Sequence, residues 1–145
     1  HNKPEKRTEI DREGFITSGD VGYIDADGYV FICDRKRDMV ISGGVNIYPA
    51  EIENALIGMD GVRDCAVFGV PDDEFGERLF ACIEPEADAA LSPAAVHEFL
   101  RARLANFKVP RDIQFMDAMP REATGKIFKR KLRDLYTQGR LRAMA

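Results

Sequence analysis

The chain has 145 residues, 45% hydrophobic and 32% charged, with a net charge of −4. That balance allows one globular core and argues against a dedicated nucleic-acid binder, for which a basic total is expected. The charge is uneven: residues 71–98 hold eight acidic residues and one basic, Arg78, whereas residues 121–145 hold eight basic and two acidic. No apolar run approaches the roughly 20 residues of a membrane span, and the N-terminus shows no signal-peptide pattern. Its opening, "HNKPEKRTEIDREGF", carries the expectation of a piece cut from a longer protein.

In chain order, the first dozen residues are polar and offer little to pack. The segment "GFITSGDVGYIDADGYVFICDR" alternates apolar runs with turn signals, and "DADG" between "VGYI" and "YVFI" predicts a β-hairpin with Gly28 at positive φ. Five consecutive charges, "DRKRD", predict a solvated connector and the domain boundary. Beyond it, "MVISGGVNIY" predicts a second hairpin turning at Ser42, Gly43 and Gly44. Pro49 suits the first turn of a helix that places Ile52, Leu56 and Met59 on one face, with Gly61 at its exit.

Next, "CAVFGV" and "RLFACIE" predict strands, the first apolar on both faces and therefore central in the sheet. The segment "LSPAAVHEFLRARLANF" predicts a helix capped by Ser92, started by Pro93 and buried along Val96, Phe99, Leu100, Leu104 and Phe107. A last strand, "DIQFM", precedes the loop "MPREATG" and a helix from about Ile127, with Leu132 and Leu135 among its apolar positions. From Asp38 onward the order is β-β-α-β-β-α-β-α, an α+β sandwich with helices packed on a small mixed or antiparallel sheet.

Cys33, Cys65 and Cys82 lie far apart, without metal-type spacing, in apolar strand-like flanks. They read as buried structural thiols in a reducing compartment. No metal site is expected. His97 has no second histidine at ligand spacing and reads as structural. The "ATGK" run fails as a phosphate loop: Pro120 stands at the first glycine position of G-x-x-x-x-G-K, and Ile127 follows the lysine in place of Ser or Thr. The basic helix behind it interleaves Ile127, Phe128, Leu132 and Leu135 with its charges, as a surface helix docked on a core does. Taken alone, Lys126 is a solvated loop lysine, Asp20 a turn cap, and "SGG" either a hairpin bend or a close backbone approach to a ligand.

Together, "TSGDVGYIDADGYV", "DRKRDMVISGGVNIYPAEIE", "VFGVPDDEFGE" and "FKVPRDIQFMDAMPREATGKIFKRKLR" occur in one order with short gaps. This resembles the C-terminal portion of the adenylate-forming enzymes: acyl-CoA synthetases, peptide-synthetase adenylation domains and luciferases. "ISGGVNIYPAEIE" is most similar to acyl-CoA synthetases acting on fatty or other aliphatic acids. In that family a large N-terminal domain binds ATP and the acid, and a small C-terminal domain is a mobile lid. The resemblance implies that residues 1–36 are the tail of the large domain, a β-hairpin with its linker, and that 37–145 are the lid. The family's Ser/Thr/Gly-rich phosphate loop and acyl pocket have no counterpart in the sequence, so the expectation is a fragment, inactive by itself.

The residue roles follow from the resemblance alone. Asp20 matches the aspartate that holds the ribose of ATP or of the acyl-adenylate, and Arg35 an arginine that also contacts the nucleotide. Arg37 falls at the hinge position, more often Asp or Lys. Ser42, Gly43 and Gly44 match the loop lining the pantetheine channel of CoA. Lys126 matches the lysine of the adenylation step. The implied cofactors are ATP, CoA and Mg²⁺, the last bound mainly by the large domain. The implied partners are a small carboxylic acid, ATP, CoA and that large domain, in the cytoplasm, with no nucleic acid and no membrane span. Two alternatives stay open: a stand-alone CoA- or nucleotide-binding regulatory module, and the lid of a peptide-synthetase adenylation domain acting on a carrier protein. Luciferase-type oxidation is disfavoured because the family's second lysine position is Ile41.

Overall fold

The computed structural model describes residues 11–12, 15–16 and 18–141. The chain divides into two units, His1–Arg37 and Asp38–Ala145, and the division falls inside the DRKRD run. Of the dozen residues expected to be polar with little to pack, residues 1–10 lie outside the described residues.

In the first unit, β1 (Asp11–Arg12) and β2 (Phe15–Ile16) pair antiparallel, as do β3 (Asp20–Ile24) and β4 (Val30–Arg35). The DADG turn forms for a visible reason. Asp25 Oδ1 accepts the N–H groups of Asp27 and Tyr29 at 3.0 and 2.9 Å, and Gly28 takes φ +86°. Tyr23 and Phe31 stack across the strands at 5.0 Å. The hairpin leaves Tyr23, Ile24, Tyr29, Val30 and Ile32 more than half exposed within the chain.

The second unit follows the expected order. Its elements are β5 (Val40–Ser42), β6 (Val45–Ile47), α1 (Pro49–Ile57), β7 (Val62–Asp72), β8 (Gly76–Pro85), α2 (Pro93–Arg101), β9 (Asp112–Phe115) and α3 (Lys129–Thr137). The sheet runs β6-β5-β8-β7, with β9 parallel to β8 and the other pairings antiparallel. Alternation along β7 and β8 separates two cores. Val67, Leu79, Ala81 and Ile83 pack with Ile52 and Leu56 of α1 and Val96 and Leu100 of α2. Ala66, Phe68, Phe80 and Cys82 pack with Leu132 of α3. Leu132 is fully buried, a contribution of roughly 1.5–3 kcal/mol.

Two expectations are corrected. β7 ends the sheet instead of lying inside it. Both its faces are apolar because helices cover both faces of the sheet, and this coverage does not depend on position in the strand order. One group on its outer edge finds a partner on α1: Glu53 Oε1 accepts the Val67 N–H at 2.6 Å and lies 2.8 Å from Lys129 Nζ. The second correction concerns α2, which stops at Arg101, six residues short of Phe107. Its Ser92 cap is as expected, with Oγ accepting from Ala95 N–H. A 3-10 turn, Asn106–Lys108, then redirects the chain towards Pro110 and β9, and Phe107 is left 54% exposed.

Candidate functional site

Asp20 opens β3 directly opposite Arg35, the last residue of β4. Arg35 Nε lies 3.1 Å from Asp20 Oδ1, and Arg35 keeps about half its side chain exposed. The hairpin thus presents an acceptor and a cation side by side at its open end. Arg37 is exposed, in the turn at residues 36–38 on the division of the two units.

Ser42 closes β5 and pairs with Val45 across a two-residue turn, Gly43-Gly44, with φ +56° and +81°. Positive φ at both central positions is the hairpin geometry that favours glycine. Gly43 donates its N–H to Phe75 O at 2.9 Å, and a Cβ there would sit 3.2 Å from the Phe75 ring. Beside this turn opens a cleft of about 690 Å³ walled by Phe75, Phe107, Arg78, Arg101, Arg111 and His97. Arg111 lies over the Phe75 ring at 4.9 Å. Arg78 is committed to the fold. Its pKa is raised first by donation to Tyr136 Oη at 3.1 Å, then by Asp112 and Asp72, whose carboxylates lie 2.6 and 3.7 Å away. His97 Nε2 donates to Pro110 O at 2.9 Å, the structural role expected for it.

Lys126 sits on a small preformed hairpin. Arg121 and Ile127 bridge antiparallel, Gly125 N–H donates to Glu122 O at 2.9 Å, and Glu122 N–H donates to Lys126 O at 2.8 Å. Gly125 takes φ +84°, a left-handed conformation that favours glycine. Lys126 is exposed, and among the described residues no ion pair holds its ammonium. One residue later, Ile127 packs into the α3-side core and ties the turn to the body of the unit.

The two turns occupy opposite ends of the β7–β8 ladder. Ser42 pairs with Gly76 and Gly43 bonds Phe75, at the end where Asp72 meets Gly76. The Lys126 turn is tied through Arg121 to Asp64, at the end where Asp64 meets Glu84. Asp64 to Asp72 is eight residues along β7, roughly 25 Å at ~3.3 Å per residue.

The thiols divide. Cys65 and Cys82 are buried, and burial pushes both pKa values up to about 12; for Cys65 the carboxylates of Glu53 and Asp64 push in the same direction. Cys33 is only half-buried, against the expectation of a buried thiol. Among the described residues, no group of three or more His, Cys, Asp or Glu is placed to hold a metal, and no helix is long and apolar enough to cross a membrane.

Sequence reasoning missed the cleft arginines. Arg101 and Arg111 come from the end of α2 and the loop before β9, and no local motif links them.

A family model described as the AMP-binding enzyme C-terminal domain matches residues 51–126. The chain belongs to that family. This AMP-binding C-terminal domain is 50% identical over 125 residues to a 3-[(3aS,4S,7aS)-7a-methyl-1,5-dioxo-octahydro-1H-inden-4-yl]propanoyl:CoA ligase of Rhodococcus jostii, covering 86% of this chain and 24% of that protein. It is 43% identical over 136 residues to the long-chain-fatty-acid–CoA ligase FadD13 of Mycobacterium tuberculosis, covering 94% and 27%. ATP-bound MatB from Rhodopseudomonas palustris superposes with a TM-score of 0.87 at 41% identity, over 95% of this chain and 28% of that one. The chain thus spans about a quarter of the length of the curated relatives it matches.

Proposed function

We propose that the domain is the lid of an ATP-dependent, AMP-forming acid:CoA ligase acting on a fatty or other aliphatic acid. Residues 1–36 would be the tail of its large nucleotide-binding domain and 37–145 the lid. The observation that carries this reading is the separation of the two glycine turns. Turns tied to points roughly 25 Å apart along one strand are poorly placed to serve the same reaction centre in the same pose. They can serve in turn if the lid rotates.

In the first step a carboxylate oxygen attacks the α-phosphorus of ATP, forming the acyl-adenylate and releasing pyrophosphate. Negative charge spreads over the phosphoryl oxygens, and the Lys126 ammonium, shielded from water, stabilises it. Lysine suits this as a compact charge on a flexible stem. Asp20 would accept hydrogen bonds from the ribose hydroxyls, with Arg35 beside it holding that carboxylate in place and contacting the nucleotide. Mg²⁺ would travel with ATP and take its protein ligands from the large domain, since no donor cluster occurs among the described residues.

In the second step the CoA thiol attacks the acyl carbonyl and AMP leaves. Here the Ser42–Gly44 turn would line the pantetheine channel, where backbone without side chains admits a narrow thiol-bearing arm. The adjoining cleft fits the remainder of CoA. Arg101 and Arg111 would face its phosphates, and Phe75 and Phe107 offer rings to its adenine. Rotation about Arg37 would exchange the two turns, a recognised way to order two chemistries. ATP, a free CoA thiol and three unpaired cysteines all suit the cytoplasm.

Assaying the half-reactions separately in the complete protein tests this assignment. Lys126→Ala should lower acid-dependent ATP–pyrophosphate exchange by about 10²–10³ and leave thioester formation from preformed acyl-adenylate intact. Equal loss of both would overturn the division of labour.

A further inference from the structure

Besides the packing of Ile127, a guanidinium ties the turn that carries Lys126 to the sheet. Arg121 Nη1 donates to Gly125 O at 3.1 Å, on the residue immediately before the lysine. Its Nη2 donates to Asp64 Oδ2 at 2.7 Å and lies 3.5 Å from Glu84 Oε2. Neither carboxylate is free to wander. Glu84 is 6% exposed, accepts the Met119 N–H at 3.1 Å and faces Arg63 at 3.5 Å. Asp64 sits in the β7–β8 ladder with its other oxygen accepting the Cys65 N–H at 2.9 Å. One planar fork therefore spans from the rigid sheet to the carbonyl beside Lys126. A guanidinium stays protonated at any working pH, and the hydrogen bond to Asp64 raises the Arg121 pKa further.

Taking Lys126 as the adenylation lysine, as proposed above, we infer that Arg121 is its positioning residue: an Asp64/Glu84-anchored strut that fixes the turn's reach into the reaction centre. Arg121 touches no substrate in this role. The turn's own hydrogen bonds set its shape, Ile127 anchors its base, and the strut adds a second tie to the sheet at the residue beside Lys126. Position matters because a displacement of about 1 Å in a catalytic group can cost about 10²-fold in rate. Lysine cannot replace arginine here. Its single ammonium lacks the fixed fork needed to hold Gly125 O and Asp64 together.

The test uses the complete protein and three variants, Arg121→Ala, Arg121→Lys and Lys126→Ala, with both half-reactions and thermal unfolding measured on each. Arg121→Ala should lower the kcat of adenylation by about 10–100-fold, leave the KM for ATP within about twofold, and spare thioester formation from preformed acyl-adenylate. Arg121→Lys should restore the melting temperature while recovering only part of the adenylation rate, which a purely structural role would not produce. Adenylation lost in Lys126→Ala but kept in Arg121→Ala overturns the strut alone. Adenylation kept in both overturns the assignment of Lys126, and the strut with it. Full recovery by Arg121→Lys, or equal loss of both half-reactions in Arg121→Ala, reduces Arg121 to a fold-stabilising residue and overturns the inference.

Discussion

At the scale of single residues, the domain ties down two of its lysines, buries two of its thiols and leaves the lysine proposed for adenylation exposed. Lys126 is exposed on its turn, while Lys108 and Lys129 are tied to Glu51 and Glu53. Cys65 and Cys82 are kept neutral by burial, from an ordinary value of 9.0 to about 12. The folded chain keeps those two protons through a range in which the unfolded chain loses them. Their contribution to stability is therefore complete below pH 9 and lost as pH rises from there to about 12. Denaturant midpoints measured between about pH 8 and 11 should fall with pH, and less steeply in Cys82→Ala. Identical slopes in the two proteins would show that the thiol is not held neutral. The burial of these thiols was legible from their apolar flanks. Arg121 was not: "PREATGK" contains it, but its partners Asp64 and Glu84 lie 57 and 37 residues away, and only folding brings them to it.

At the scale of elements, local chemistry decided what could be read. Pro49 and Pro93 at helix starts, the Ser92 cap and the DADG and Gly43-Gly44 turns each act within a few residues, and all appear where expected. The edge position of β7 was hidden because strand order depends on pairings between distant segments. The helices that bury both its faces give it the composition of an interior strand, and Glu53 supplies the Val67 N–H with a partner that a neighbouring strand would otherwise provide. Likewise the apolar periodicity of α2 runs on to Phe107, but Pro110 and the start of β9 at Asp112 force the chain to turn first. Gly43 tests the meaning of its turn. A valine there meets φ +56° and the Phe75 ring at 3.2 Å, a strain of about 1–3 kcal/mol. Gly43→Val should lower thioester formation by about 10²-fold with adenylation within about twofold of normal. An equal fall in both rates would place Gly43 outside the thiol channel.

At the scale of the whole molecule, a single α+β unit carries two glycine turns at opposite ends of its longest ladder, and the chain enters that unit through a run of charges. The four ordered motifs in the sequence announced this family, which the family model and the solved relatives bear out. Arg35, Lys36 and Arg37 of the DRKRD entry are exposed, which suits the pivot proposed there, while Asp38 is held to the second unit by Arg133 at 3.4 Å. The hairpin of the first unit, with Tyr29, Val30 and Ile32 exposed, suits coverage by the large domain to which it is proposed to belong. The pivot proposed at Arg37 lies on the division of the two units. Proline at position 37 would lock φ near −65° and restrict Lys36 as well. The decisive measurement is the ratio of the two half-reaction rates in the complete Arg37→Pro protein. Alternation about this residue predicts that the ratio shifts by about 10² towards adenylation, with thioester formation failing; an unchanged ratio, with thioester formation unimpaired, would contradict it.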